Sequence, residues 1–290
     1  MIGTTTHSPR DALPAPSIQR PRVLYAMLDG ERPTAGLLRA FALSRVLEGD
    51  VHVLRVLPAT QQISPLFPQQ GALDALAAVD QAIAAGRETP ALVAAVLGDH
   101  VLAERILVRV GDFIEHVVAS AAELKPELIV MSPQEGHLGV LVTILARATG
   151  VPVLVAREAG RRETIIAASD LIAPQYPVLR RAAKLGVHLD AAVVGVHNVR
   201  PSNPVPRLES RRETIARVWA ELRVDAEAVV TSEDDPIAAI LREVEARDAD
   251  IVVVGTHRRS RFARMVAGSS VASRLVSQAQ RSVLVTPFDR

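Results

Sequence analysis

One stretch decides the fold: DIVVVGTHRRSRFARMVAGSSVASRLVSQAQRSVLVTPF, from Asp250 to Phe288. Ile251 to Val254 is an unbroken β-branched run. It has the length of a strand and no polar alternation, the signature of an interior parallel strand buried on both faces. Gly255 ends the run, and a polar, arginine-rich segment from Thr256 to Arg264 leads to Gly268-Ser269-Ser270. Val271 to Gln280 reads as a helix and Ser282 to Thr286 as a second short strand. Strand, loop, helix and parallel strand form a βαβ unit, whose crossover is right-handed. Ligands of such sheets sit beyond the carboxyl ends of the strands, where the free amides at a helix N-terminus attract phosphate. Function is therefore sought between Gly255 and Ser270.

Upstream, the same grammar occurs twice. In the second half, Thr164 to Ser169 is a strand ending at Asp170, followed by a helix from Pro177 to Gly186 and a strand from Ala192 to Val196. A helix from Arg211 to Leu222, a strand from Ala226 to Val230 and a helix opened by Asp235-Pro236, an N-cap with proline at the first helical position, complete it. In the first half, Val23 to Leu28 is a strand ending in Asp29-Gly30, Ala35 to Glu48 a helix and Val51 to Leu57 a strand. A loop from Pro58 to Gln70 and two helices, Ala72 to Ala85 and Pro90 to Leu97 with a break at Gly86, precede a strand at Ile106 to Val110. Asp112, with Glu115 three residues on, predicts a capped helix. Leu128 to Met131 is a strand, Val140 to Thr149 a helix ended by Gly150, and Pro152 to Ala156 a fifth strand.

This is a tandem duplication of an α/β unit, each copy a five-stranded, mostly parallel sheet with helices on both faces. The expected boundaries are a disordered tail over 1–21, a first domain over 22–158 and a second over 163–290. The short polar link holds the copies close. The apolar fifth strands are expected to pair, because an uncovered edge strand invites aggregation. Asp29 and Asp170, each closing the first strand of its copy, are taken as counterparts.

Composition narrows the chemistry. With 290 residues, no cysteine and a net charge of +1, the chain has neither disulfides nor thiolate metal sites, and no global charge that favours nucleic acid. No apolar run reaches the roughly 18 residues of a membrane helix. Met1 to Arg22 carries four prolines and no apolar core, so it does not read as a secretory signal, and a cytoplasmic location is expected. None of the eight histidines forms a close pair with helical metal-ligand spacing. His257 is read as a surface-loop residue, and His197 as packed or bonded to backbone. No P-loop, nucleophile elbow or G-x-G-x-x-G occurs.

The segments TIIAASD ending at Asp170, DPIAAILREVEARDADIVVVGTH from Asp235 and GSSVASRLVSQAQRSVLVTP from Gly268 resemble the universal stress protein family in its tandem two-domain form. Nucleotide-binding members of that family carry Gly-x2-Gly-x9-Gly-Ser/Thr after the fourth strand. Gly255, Gly268 and Ser269 match, while Arg258 replaces the second glycine. The resemblance implies flavodoxin-like domains and an adenine nucleotide, ATP or a relative, with Mg present only alongside it. It implies that Asp170 contacts the adenosine, that Val196 and Asn198 lie beside the base, and that Val254, Gly255, Gly268, Ser269 and Ser270 surround ribose and phosphates. Arg258, a departure from that pattern, either fills the phosphate space or swings out to pair with phosphate through its planar fork. In the first copy the fourth strand is followed by Ser132, and Leu128 to Pro152 is seven residues shorter than Ile251 to Ser282. That copy is expected to be degenerate, with Asp29 a turn residue bonded to its own backbone. Three functions are weighed: a regulatory stress-type protein acting through bound nucleotide, a nucleotide-free interaction protein with Arg258 in the pocket, and a weak nucleotide hydrolase. Expected partners are the nucleotide, a second copy of the tandem chain and an unidentified protein, with no nucleic acid and no membrane.

Overall fold

The structure, a computed structural model, describes residues 20–31, 35–59, 68–100, 103–134, 137–157, 163–173, 175–199, 201, 206–257 and 270–288. The proposed tail lies almost entirely outside them. The first half runs β1 (Arg22–Leu28), α1 (Ala35–Val46), β2 (Asp50–Leu57), α2 (Pro68–Leu97), β3 (Ile106–Val110), α3 (Phe113–Leu124), β4 (Leu128–Met131), α4 (Leu138–Thr149) and β5 (Val153–Val155). The second runs β6 (Thr164–Ala168), α5 (Pro177–Leu189), β7 (Ala192–Val199), α6 (Pro206–Leu222), β8 (Ala226–Ser232), α7 (Pro236–Ala246), β9 (Ile251–His257), α8 (Val271–Gln278) and β10 (Ser282–Phe288).

The ten strands make one sheet, ordered β3-β2-β1-β4-β5-β10-β9-β6-β7-β8. Within each half all pairings are parallel. At the centre β5 and β10 pair antiparallel, Val155 with Val283, Leu154 with Leu284 and Val153 with Val285. The two fifth strands thus cover each other, as the edge-strand argument requires. Leu154 and Leu284 sit opposite one another on a pseudo-twofold axis that relates the halves.

Helices α1, α2, α5 and α6 cover one face of the sheet, and α3, α4, α7 and α8 the other. Each face buries a single apolar layer that runs through both halves. Across the centre α4 and α8 approach closely: a Cβ on Gly139 would lie 2.1 Å from the Ser273 carbonyl oxygen, so only glycine allows this helix contact. Arg39 of α1 forms an ion pair with Asp250 ahead of β9, and Lys184 of α5 reaches Glu127 ahead of β4 at 3.6 Å. Arg157 donates from Nη2 to the Val276 carbonyl near the end of α8 at 2.7 Å.

Several local signals act as read. Asp112 caps α3 by accepting from the Glu115 amide at 2.9 Å, Asp235 caps α7 ahead of Pro236, and Gly150 ends α4 in the left-handed region at φ 70°. Two readings are corrected. The helices expected on either side of Gly86 are one helix, α2, that runs through Pro90. The proline ring strains against the carbonyl four residues back, and that residue is Gly86, around which a Cβ would meet nothing within 4 Å. Ala85, Thr89, Val93 and Leu97 form a buried stripe at helical spacing, and the Thr89 hydroxyl donates to the Ala85 carbonyl at 2.6 Å. Tertiary packing thus outweighs the two breakers. The second correction concerns β9, which does not stop at Gly255. It continues because Gly255, Thr256 and His257 pair with Thr286, Pro287 and Phe288.

Candidate functional site

A cavity of about 300 Å³ opens at the carboxyl ends of β6, β7 and β9, between the starts of α7 and α8. That is the lower end of the size range of small-ligand pockets, roughly 300–1,000 Å³. Of the residues nominated from sequence, Asp170, Val196, Asn198, Val254, Gly255 and Ser270 line it. Arg258, Gly268 and Ser269 lie outside the described residues, as does the basic cluster Arg258, Arg259, Arg261 and Arg264.

Parallel pairing brings the strand ends to one level, with Ala168 opposite both Val196 and Val254. These three residues and Ile240 of α7 give the cavity an apolar wall. Asp170 follows β6 in a turn: one carboxylate oxygen accepts the Ile172 amide at 3.1 Å, and Leu171 is held at φ 56°. Among the described residues this carboxylate has no cationic partner and lies exposed at the cavity rim. Asn198 is clamped by its neighbours. Its Oδ1 accepts from the Thr231 hydroxyl at 2.8 Å and the Glu233 amide at 3.1 Å, and Nδ2 donates to the Glu233 carbonyl at 2.8 Å. One amide hydrogen is left for a ligand.

His197, also on the wall, is oriented by donating from Nδ1 to the Ser169 carbonyl at 2.8 Å, the backbone bond expected of it. Burial pushes its pKa below the ordinary histidine value, with Arg211 acting in the same direction and Asp170 opposing. His257 is not a loop residue. It closes β9, its ring lying edge-on to Phe288 with centroids 4.4 Å apart.

Ser270 caps α8, accepting the Ser273 amide at 3.1 Å. The amides of Val271 and Ala272, in the first turn of α8, belong to the cavity lining residues and have no intrahelical partner by geometry. Gly255 has a role the sequence did not suggest. A Cβ there would lie 2.3 Å from Phe288 Cε1 and 2.9 Å from Val178 Cγ2. Its missing side chain is thus needed for ring packing, whatever ligand approaches the backbone.

The residue that sequence reasoning missed is Arg147. It stands on α4 of the first half and lines the cavity of the second, with Nε donating to the Thr256 hydroxyl at 2.9 Å. No motif joins positions so far apart in the chain; their meeting is a product of the shared sheet. Among the described residues no group of three or more His, Cys, Asp or Glu side chains is arranged to hold a metal ion.

The first half differs at the matching place. The Asp29 carboxylate receives Arg55 Nη2 at 2.7 Å, and Arg55 also reaches Glu88 at 3.0 Å and the Thr89 hydroxyl at 3.2 Å. This corrects the expectation that Asp29 bonds its own backbone. Arg55 is buried, so its charge demands a carboxylate partner. Nearby, the Tyr25 hydroxyl bonds Glu31 at 2.8 Å and Ser132 at 2.9 Å. Burial and the Glu31 charge push its pKa far up.

Residues 161–287 match the profile of the Universal stress protein family. This half of the chain is a universal stress protein domain. Over the full chain, a functionally unknown protein from Pseudomonas aeruginosa PAO1 superposes at TM-score 0.62 with 18% identity, covering 94% of each chain. A universal stress protein from Archaeoglobus fulgidus DSM 4304 superposes at 0.62 with 15% identity, covering 93% of this chain and 97% of that one. A shorter A. fulgidus universal stress protein, solved in complex with dAMP, aligns to 43% of this chain and 96% of its own, with 19% identity and a TM-score of 0.35. At these identities the full-chain likenesses establish the tandem flavodoxin-like fold. No curated protein matches the sequence. Among the described residues no helix is long and apolar enough to cross a membrane.

Proposed function

We propose that the universal stress protein domain binds an adenine nucleotide, ATP or AMP, in the cavity beyond β6, β7 and β9, and that the chain regulates through this binding rather than by turnover. The observation that carries the reading is the chemistry gathered around one space. Asp170 offers an acceptor without a cationic partner among the described residues, Val196 and Val254 an apolar surface, and Arg147 with the first turn of α8 a cationic end. A base or ribose donates to the carboxylate, the aromatic base lies on the apolar wall, and phosphates face the amides and the guanidinium. Mg enters only with the nucleotide.

The test is direct. The purified protein is denatured, and the supernatant is chromatographed for adenine nucleotides; protein stripped of ligand is then melted with and without ATP. Nucleotide in the supernatant, or a rise in melting temperature that Asp170→Ala abolishes, is expected. Neither result in the wild type would favour a second reading, a nucleotide-free interaction protein. That reading draws on Phe288, whose ring lies in the space a side chain at position 255 would use.

A further inference from the structure

We propose that Arg147, a residue of the first half, recognises the phosphate of a ligand bound in the second half, so that the site is completed across the centre of the sheet. The inference rests on the nucleotide reading above.

Three observations carry it. First, Arg147 lacks a counter-charge. Arg39, Arg55, Arg274 and Arg281 each pair with a carboxylate, whereas Arg147 has only the neutral Thr256 hydroxyl among the described residues. Burial moves its pKa downward, with no anion among the described residues to oppose it. A partly desolvated cation without a partner is a cost to the fold that a bound anion would relieve.

Second, the geometry leaves the productive end free. Nε is committed to Thr256, which orients the plane of the guanidinium. Nη1 and Nη2 have no partner among the described residues, and together they form the fork that matches two phosphate oxygens. The start of α8 lines the same cavity.

Third, the feature breaks the internal symmetry. Buried Val142, Thr143, Leu145 and Ala146 of α4 recur in α8 as Ala272, Ser273, Leu275 and Val276. In that register Arg147 corresponds to Ser277, whose hydroxyl donates to the Ser273 carbonyl within its own helix at 3.1 Å. At this position the first half therefore sends a cation into the second, whereas Ser277 of the second carries none.

Isothermal titration of the full chain, freed of ligand, with adenosine, ATP with Mg and inorganic tripolyphosphate separates the possibilities. Arg147→Ala is expected to weaken ATP and tripolyphosphate by roughly tenfold to a hundredfold, the usual worth of a hydrogen bond to a charged group. Adenosine affinity should stay within about twofold, because it carries no phosphate. Arg147→Lys should recover part of the loss, keeping the charge without the fork. Thr256→Val, which keeps the cation and removes its tether, should give a smaller loss in the same direction, and it serves if Arg147→Ala does not fold. Wild-type and Arg147→Ala proteins binding ATP equally, or losing ATP and adenosine alike, would overturn the proposal and leave the nucleotide reading standing. Binding of tripolyphosphate through Arg147 without adenosine or ATP binding would do the reverse. A wild type that binds none of the three overturns both.

Discussion

The ends of β1 and β6 differ by one step of register, and that step separates a closed site from an open one. Counting outward from the central Leu154–Leu284 pair, β4 matches β9 with Leu128 at Ile251, and β1 matches β6 with Val23 at Ile165. Two backbone bonds agree: Glu127 donates to the Arg22 carbonyl, as Asp250 does to that of Thr164. On this register the counterpart of Asp170 is Leu28, and that of Asp29 is Leu171. The two aspartates are not equivalent, although each closes the first strand of its half. Because side chains alternate along a strand, one residue of offset sends them to opposite faces. Asp29 meets Arg55 beneath α2, while Asp170 meets a cavity. The same counting places Leu54 at Val196, Arg55 at His197 and Ser132 at Gly255. The two halves thus share a sheet but differ at the strand ends in a few side chains and in the length of the connection after β4 and β9.

This contrast can be attacked first at the axis. Leu284→Asp puts a charge on a 3% exposed residue that both halves share, and it should cost more than about 4 kcal/mol, seen as unfolded or insoluble protein by circular dichroism. Retention of a cooperative melt near that of the wild type would show that the halves do not depend on the central strands. Next in size is Arg55→Leu, which strands Asp29 and Glu88. Since both carboxylates are partly exposed, the expected loss is about 2 kcal/mol in urea denaturation, below that of a fully buried pair. The nucleotide-dependent rise in melting temperature should be unchanged, since this cluster belongs to the other half.

Asp170→Ala is the mirror experiment. It should shift stability by no more than about 0.5 kcal/mol, because the side chain is exposed and forms a local turn bond, yet it should abolish the melting shift with ATP. A large loss of stability with ligand response intact would reverse the assignment of open and closed sites. The smallest effect is expected from pH. The folded state holds the His197 pKa below its unfolded value near 6.5, so the unfolded chain binds the proton first. Its neutral form carries no penalty above that pH, and stability falls as pH drops from about 6.5 toward the folded value. Urea midpoints measured through that window should show the decline in wild type and a flatter curve in His197→Gln.

Much of the architecture was legible. The bounds of β3 and β4, the caps at Asp112 and Asp235 and the Gly150 stop follow from local chemistry that neighbours in the fold do not override. Gly86 and Pro90 misled because breaker residues speak only for the isolated helix, and the buried stripe of α2 outweighed them. The false pairing of Asp29 with Asp170 arose because strand length can slip by one residue without disturbing an apolar pattern. Arg55, buried in a run that reads as apolar strand, gave no local hint of its two carboxylate partners.

By itself, the chain of residues determined the order of strands and helices, their caps, the duplication and the strand ends at which the cavity opens, because each depends on neighbours within a few positions. The tertiary structure alone decided which aspartate faces a cavity, that the halves join through β5 and β10, and that Arg147 of one half stands at the site of the other. Those outcomes depend on register and on contacts between residues about a hundred positions apart, such as Arg147 and Thr256, and no local pattern encodes a distance of that kind.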